Sequence, residues 1–315
     1  MIDKKVIRFK VNQFIHKLSE YKETVWIIGS GRSGTTWVSD LINHEKKYRE
    51  IYEPFHPVKE KFLLPHRYTT PTNIDRNLSN LIDAVFSGKF LTMRTDKANE
   101  KLFYESLLIK DIFANLLAFY AHTKFPEVKI IFLIRNPFAV ALSKFKTKSW
   151  YWMKDPIDFL SQKELREDFL LPYEQLIKEI SKKGDFIEKH LLVWSIINFV
   201  PLIQFDLNKI CVVFYEDVVL NPMQELKNMN SFINPGKNKT EINVPEKIIA
   251  TPSRVTGKES SFDISGWKNL ITPSQINSGN KILEQFGLNY LYNSDSTPNR
   301  QELINLKSAF KNLKV

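Results

Sequence analysis

Cysteine is nearly absent from this chain. The only cysteine among its 315 residues is Cys211, which stands in the short apolar run Ile210–Phe214. A single cysteine excludes a disulfide within the chain and a cysteine-based zinc site. Its apolar neighbours favour a buried structural thiol.

Long apolar runs are absent as well. The longest one, from Leu191 to Ile203, contains Ser195 and Asn198, whereas a membrane-spanning helix needs about 20 mostly apolar residues. The first residues, MIDKKVIRFKVNQFIHKLSEYKE, carry charges throughout and show no apolar core of a secretory signal. We therefore expect a soluble, cytoplasmic protein without a transmembrane segment.

The chain also has no internal repeat and no low-complexity segment. Hydrophobic residues make up 43% and charged residues 25% of it, which is ordinary globular composition and excludes wholesale disorder. Lys and Arg number 45 against 35 Asp and Glu, so the net charge is +10. This excess favours an anionic partner, such as nucleic acid, an anionic membrane or glycan, or a phosphorylated small molecule, although a proteome rich in Lys has the same effect.

Short apolar runs alternate with longer segments of helical periodicity. Runs rich in β-branched and aromatic residues predict strands, and apolar residues three or four apart predict helices. The predicted strands are residues 24–28, 48–52, 90–95, 128–134 and 210–215, and the predicted helices include 107–122, 137–148, 222–233 and 275–286. This alternation predicts an α/β fold, a three-layer sandwich with a central parallel sheet and helices on both faces. Ligands bind such sheets at the carboxyl ends of the strands.

Two stretches interrupt the alternation. Residues 54–89 hold scattered prolines and polar residues, and residues 146–184 begin with Trp150-Tyr151-Trp152 and continue heavily charged. We expect a single domain over the whole chain, with a motif-bearing core at about 24–290 and a tail at 291–315. The two interrupting stretches are predicted insertions over one end of the sheet.

The strongest motif is VWIIGSGRSGTTW, at residues 25–37. A predicted buried strand runs into Gly29, Gly31 and Gly34, and a helix begins near Thr35. Glycines let the backbone turn tightly and approach a ligand, and the loop N–H groups and the helix N-terminus then face an anion. Further donors are the side chains of Ser30, Arg32, Ser33, Thr35 and Thr36. The segment predicts an anion-binding loop.

Three classes of protein use loops of this kind. The glycines satisfy the dinucleotide fingerprint G-x-G-x-x-G, with Glu50 and Glu53 near the offset of the expected acid. The loop also resembles G-x4-G-K-[ST] of nucleoside-triphosphate sites, but Thr35 stands in place of the lysine that reaches the phosphates. A sulfonate-donor loop is the third possibility, because it has its cation inside the loop, where this chain has Arg32.

A second cation follows another predicted strand. The segment KIIFLIRNP, at residues 129–137, places Arg135 at the strand end, where a triphosphate enzyme usually carries an Asp for Mg²⁺. Ser143 stands eight residues later, two turns into the predicted helix. A guanidinium before the helix and a hydroxyl within it can share one phosphate.

The two segments together resemble a known family. GSGRSGTTW followed by LIRNP-x5-S is similar to the two cofactor signatures of the sulfotransferases that use 3′-phosphoadenylyl sulfate (PAPS). Arg at position 32, where the usual cytosolic members have Lys, resembles the carbohydrate-type and bacterial members. Four more segments match in order, namely Tyr52-Glu-Pro54, Ile109-Lys-Asp111, Tyr215-Glu-Asp217 and Ser265-Gly-Trp-Lys-Asn269. The resemblance covers roughly residues 24 to 290.

The resemblance implies a P-loop nucleotide-kinase-like sheet, PAPS as co-substrate and no metal ion. It implies in-line transfer of a sulfonate group to an acceptor hydroxyl or amine. The loop at residues 29–36 would hold the transferred group, with Arg32 supplying a catalytic cation, and Arg135 and Ser143 would hold the 3′-phosphate. A third phosphate contact is expected from Arg254 or Lys258, which lie several residues upstream of the late tryptophan motif.

An acceptor hydroxyl needs a base. The resemblance makes Glu53 the first candidate, because the matching Glu-Pro of bacterial and carbohydrate members is thought to serve so. A helix cap or a salt bridge is the structural alternative for this side chain. His56, three residues later, is the alternative base.

The acceptor is expected to be a carbohydrate, a lipid or a small molecule, bound by the two insertions. Trp150-Tyr151-Trp152 would form its aromatic wall or pack within a lid. Other functions compatible with the sequence are a P-loop nucleotide or small-molecule kinase, a dinucleotide oxidoreductase and a basic glycan-binding protein without catalysis. No nucleic-acid partner is expected, because the sequence shows no helix–turn–helix or aromatic RNA-binding signature.

Overall fold

Five parallel strands form one sheet, in the order β2-β3-β1-β4-β5. A computed structural model describes residues 4–57, 63–147, 152–153, 155–236, 243–250 and 263–310. The strands are β1 (Thr24–Gly29), β2 (Tyr48–Tyr52), β3 (Ser106–Asp111), β4 (Lys129–Ile134) and β5 (Ile210–Phe214). In register, Trp26 of β1 pairs with Ile109 of β3 and Ile130 of β4. Because all the strands run the same way, the residues that follow them collect at one edge of the sheet.

Helices connect the strands and cover the sheet. The α-helices are α1 (Lys4–Leu18), α2 (Thr35–Ile42), α3 (Arg76–Phe86), α4 (Ala118–Lys124), α5 (Pro137–Thr147), α6 (Lys163–Leu165), α7 (Glu174–Lys183), α8 (Phe186–Gln204), α9 (Tyr215–Leu220), α10 (Pro222–Ile233), α11 (Glu246–Ala250), α12 (Pro273–Gln285) and α13 (Arg300–Phe310). Short 3-10 turns lie at Asn115–Leu117, Pro156–Ser161, Leu171–Tyr173 and Gly266–Asn269, and a π turn lies at Arg166–Leu170.

Successive strand residues are buried on opposite faces of the sheet. Trp26 and Ile28 of β1 face a large core formed with α3, α5, α8 and α12. Val25 and Ile27 face a second core formed with α2, α9 and α10. The predicted three-layer α/β sandwich with a parallel sheet is confirmed.

Helix α8 is the central helix of the larger core. By length and composition it is the one helix among the described residues apolar enough to cross a membrane, but 78% of its apolar window is buried inside the protein. Asp185 and Glu188 begin it with a capping box, in which each side chain bonds the backbone N–H of the other residue. Packing against α5 and α12 accounts for its apolar composition.

Two predictions in the first half of the chain were wrong. Residues 90–95 form turns rather than a strand, and residues 107–122 do not form one helix. The second stretch contains β3, the 3-10 turn Asn115–Leu117 and α4 in succession. The other predicted strands and helices are confirmed to within two residues at each end.

The error at β3 has a physical cause. Leu107, Leu108 and Ile109 are all fully buried, because helices cover both faces of this strand. A strand buried on both faces reads as a continuous apolar run rather than an alternating one. The apolar residues of β3 and of the turns after it together show a helical spacing, although no single helix contains them.

Candidate active site

The glycine loop follows β1 and leads into α2. Gly34 has a φ of 94°, and a Cβ atom added there would lie 2.4 Å from the ring of Tyr215. A Cβ atom on Gly29 would lie 2.7 Å from the carbonyl oxygen of Leu133, on the neighbouring strand β4. Both positions therefore require glycine. Arg32, with a φ of 73°, adopts the left-handed conformation that glycine normally supplies.

The serine hydroxyls of the loop bond within it. The Ser33 hydroxyl and N–H both donate to the carbonyl oxygen of Ser30, and the Ser30 hydroxyl donates to the carbonyl of Gly31 at 3.2 Å. Thr35 is buried and Thr36 half-buried in the first turn of α2. The first N–H groups of a helix have no partner within it, so this turn presents free donors. The loop is held by its own hydrogen bonds and can face an anion with backbone N–H groups.

Arg32, Arg135 and Ser143 come together at this loop. The Nε of Arg32 donates to the Ser143 hydroxyl at 3.0 Å, and the Nη1 of Arg135 donates to the Arg32 carbonyl at 3.0 Å. The Arg135 guanidinium stacks 4.2 Å above the centre of the Tyr215 ring. Burial, and then the charge of Arg135, lower the pKa of Arg32. Two guanidinium groups, partly withdrawn from water, thus lie beside the glycine loop, where their charge can attract an anion.

The turn that carries Arg135 is fixed from two sides. Trp194 of α8 donates from Nε1 to the Arg135 carbonyl at 3.1 Å, and the N–H of Asn136 donates to Glu216 at 2.9 Å. Tyr292 donates to the other oxygen of Glu216 at 3.2 Å. Burial raises the pKa of Glu216 to about 7. Tyr292 follows no strand and belongs to no motif, so this contact could not be predicted from the sequence.

Glu53 follows β2 and forms two ion pairs. Its Oε1 lies 2.6 Å from the Nζ of Lys110, at the end of β3, and its Oε2 lies 3.2 Å from Nη1 of Arg94. Glu53 is 7% exposed and Lys110 2% exposed. Burial alone would raise the pKa of Glu53, but the charges of Lys110 and Arg94 outweigh it, so the pKa lies below its usual value. The side chain is therefore an ionised carboxylate at the sheet edge.

Asp111 holds the turn that follows Glu53. Its carboxylate accepts from the N–H of Phe55 at 2.9 Å and from the N–H of Phe113 at 2.6 Å. Asp111 is completely buried, and burial raises its pKa to about 6. Lys110 thus binds the carboxylate of Glu53, and Asp111 binds the backbone of the turn that follows Glu53.

Aromatic rings lie beside the Glu53 turn. The ring of His56 is 5.0 Å from that of Phe113 and 5.6 Å from that of Trp152, both edge to face. Phe113 and Trp152 are also in edge contact, with their centres 6.0 Å apart. Trp152 of the second insertion is therefore brought to the neighbourhood of both candidate bases. These rings form one wall of the site.

Arg254, Lys258, Trp150 and Tyr151 lie outside the described residues. Arg94 was missed by the sequence analysis, because residues 90–95 were interpreted as a strand, and only the contact with Glu53 reveals its place in the site. Among the residues that the structure describes, no group of three His, Cys, Asp or Glu side chains is arranged to hold a metal ion.

The carboxyl edge of the sheet thus carries a cationic glycine loop after β1 and, two strands away, the carboxylate of Glu53 after β2. A family model of the sulfotransferase domain matches residues 22–286, which is most of the chain. The chain belongs to the sulfotransferase family. A comparison with curated proteins found no match to this sulfotransferase.

Solved structures similar to this sulfotransferase include a sulfotransferase from Alicyclobacillus acidocaldarius, at 16% identity over 92% of this chain and 99% of that one, with a TM-score of 0.46. Mouse sulfotransferase SULT7A1 complexed with PAP is 14% identical over 95% of this chain and 93% of its own, with a TM-score of 0.45. Retinol dehydratase in complex with androsterone and PAP is 16% identical over 88% and 84%, with a TM-score of 0.40.

Proposed function

We propose that this protein transfers the sulfonate group of PAPS to a hydroxyl or amine of an acceptor. The observation that supports this most directly is the convergence of Arg32, Arg135 and Ser143 at the glycine loop. A nucleotide donor with a phosphosulfate and a separate 3′-phosphate needs two neighbouring anion sites. The strand ends of β1 and β4, which are paired in the sheet, offer them side by side.

The roles follow from position. We assign the phosphosulfate to the loop of residues 29–36, where backbone N–H groups and the first turn of α2 face an anion. Arg32 then supplies a cation next to the transferred group, and Arg135 and Ser143 bind the 3′-phosphate. A third phosphate contact is assigned to Arg254 or Lys258. Each hydrogen bond to a charged group contributes about 1.5–3 kcal/mol.

The transfer is an in-line displacement at sulfur. A bond forms between the acceptor oxygen and sulfur, the bond from sulfur to the phosphate oxygen breaks, and adenosine 3′,5′-bisphosphate leaves with that electron pair. The acceptor proton passes to the carboxylate of Glu53, our candidate base. Lys110 and Arg94 keep this carboxylate ionised but lower its pKa, so it can take the proton only as one of these ion pairs opens. Preorganised cations stabilise the charge that develops on the departing phosphate.

The acceptor side of the site lies around Glu53. The rings of His56, Phe113 and Trp152 give it an apolar wall, which suits a carbohydrate, a lipid or a small metabolite. His56 is the alternative base, within this wall. We favour Glu53 because its carboxylate lies directly at the end of β2, at the carboxyl edge of the sheet.

The first experiment is a thermal-shift titration with adenosine 3′,5′-bisphosphate, beside ATP with Mg²⁺ and NADH. A ligand that binds only the folded protein stabilises it by RT ln(1 + [L]/Kd), about 2.7 kcal/mol at a hundredfold excess over Kd. We expect a shift with the bisphosphate alone. A shift with ATP and Mg²⁺ would indicate a kinase, a shift with NADH an oxidoreductase, and either result would contradict the proposal. Binding of heparin without any response to the bisphosphate would indicate a non-catalytic glycan-binding protein.

A further inference from the structure

Residues 92–99 run along the outer edge of β2. The N–H of Tyr52 donates to the Thr95 carbonyl at 2.9 Å. The side chain of Asn99 accepts from the N–H of Glu50 and donates to its carbonyl, each at 2.8 Å. The opposite edge of β2 pairs with β3, which separates it from β1. Arg94 and Lys97 therefore lie on the far side of β2 from the glycine loop.

Three cations surround the ring of Tyr52. The Nζ of Lys97 lies 3.7 Å from the ring centre, the Nζ of Lys110 4.4 Å, and the Cζ of Arg94 5.7 Å. The two oxygens of Glu53 are occupied by Lys110 and Arg94. Lys97 is exposed and, within the part of the chain that the structure describes, it forms no ion pair.

The other carboxylates of this region are committed elsewhere. Asp96 binds Arg49 at 3.2 Å. Glu50 is 2% exposed and accepts from the Ser39 hydroxyl, and Asp111 accepts two backbone N–H groups inside the core. Three positive charges therefore lie close to the single carboxylate of Glu53, so the net charge around the candidate base is positive.

The positive charge of Lys97 lies far from the proposed PAPS site. Neighbouring strands lie about 4.8 Å apart, so β2 is about 14 Å across the sheet from β4, which carries Arg135. Lys97, which lies against the ring of Tyr52, is on the Glu53 side of the sheet. It is too far from Arg135 to bind the same phosphate.

We propose that Lys97 binds an anionic group of the acceptor, and that the natural substrate is a hydroxyl compound carrying a carboxylate, sulfate or phosphate close to the reacting hydroxyl. This inference rests on the proposed sulfonate transfer. Lys97 orients the acceptor by its anionic group, Tyr52 supports the Lys97 ammonium by a cation–π contact, and Glu53 takes the proton.

The test compares acceptors that differ in one charge. Release of adenosine 3′,5′-bisphosphate from PAPS is measured with p-nitrophenyl β-D-glucuronide against the glucoside, and with 4-hydroxybenzoate against 4-hydroxybenzamide. We expect kcat/KM to be about tenfold higher for the anionic member of a pair. Lys97→Gln should lower this value about tenfold, mainly through KM, and change the neutral member less than about twofold. The same preference should weaken in 0.5 M NaCl, since salt screens exposed charges.

The matched control is Lys281→Gln, an exposed lysine of α12, which should leave both members unchanged. Equal or better use of the neutral members would overturn the inference, and so would a protein that binds the bisphosphate but sulfonates no anionic member. An equal loss with both members in Lys97→Gln would show that this cation serves the transferred sulfonate instead. Failure to bind the bisphosphate would contradict the proposed function itself, which separates the two questions.

Discussion

Arg32 and Ser143 stand 111 positions apart in the chain, yet the Nε of Arg32 donates to the Ser143 hydroxyl at 3.0 Å. This contact joins the glycine loop after β1 to the helix after β4. Arg135 belongs to the same cluster, because it donates a hydrogen bond to the Arg32 carbonyl. The two segments that resemble cofactor signatures therefore meet in the fold, and substitutions in either segment should affect the binding of the same ligand.

Arg135→Ala should weaken the binding of adenosine 3′,5′-bisphosphate by about 10- to 150-fold, the equivalent of one charged hydrogen bond of about 1.5–3 kcal/mol. Isothermal titration calorimetry measures the affinity, and circular dichroism checks that the fold is intact. Arg166→Ala, which removes an arginine paired with Glu174 on the surface, is the control. Unchanged affinity in Arg135→Ala would show that Arg135 does not bind the 3′-phosphate.

Glu53→Gln should lower kcat by about 10²- to 10⁴-fold, which is the usual contribution of a positioned base. Affinity for the bisphosphate should stay within about threefold, because Glu53 lies two strands from the glycine loop. The comparison variant is His56→Gln, which removes the alternative base from the aromatic wall. If His56→Gln is inactive and Glu53→Gln is active, the roles are reversed.

Glu216→Gln should change how stability depends on pH. Burial raises the pKa of Glu216 to about 7 from the usual 4.5, so the folded protein holds this proton more tightly than the unfolded chain. The stabilisation from Glu216 is then complete below about pH 4.5 and is lost as the pH rises through about 7. The free energy of unfolding of the wild type minus that of the variant should fall over this range. Urea denaturation at pH 4.5, 6 and 7.5 measures it, and a constant difference would contradict it.

Gly34→Ala should destabilise the protein more than Gly236→Ala. Both glycines have positive φ, 94° and 85°, so each substitution introduces about 1–2 kcal/mol of backbone strain. A Cβ on Gly236 meets nothing within 4 Å, whereas one on Gly34 lies 2.4 Å from the Tyr215 ring. Overpacking adds about 1–3 kcal/mol for Gly34→Ala alone. Equal Tm values for the two variants would show that the ring moves away freely.

Much of the fold could be predicted because local signals agree with it. The glycine loop, the strand before it and the helices that begin with Pro137 and Pro222 are specified by neighbouring residues. The positions of Arg135 at a strand end and of Ser143 in the following helix were likewise predictable, since both follow from the strand and the helix that carry them. β3 could not be read, because its burial on both faces hides the strand period.

The sequence by itself determined an α/β sheet with a glycine loop after its first strand and a cation, Arg135, after another. The surroundings of Glu53 were decided only by the tertiary structure. Its partners Lys110 and Arg94 lie 57 and 41 positions away, and they meet it because β3 lies beside β2 and residues 92–99 run along the outer edge of β2. Whether a carboxylate is free or paired depends on charges brought near it in space, which no local pattern encodes.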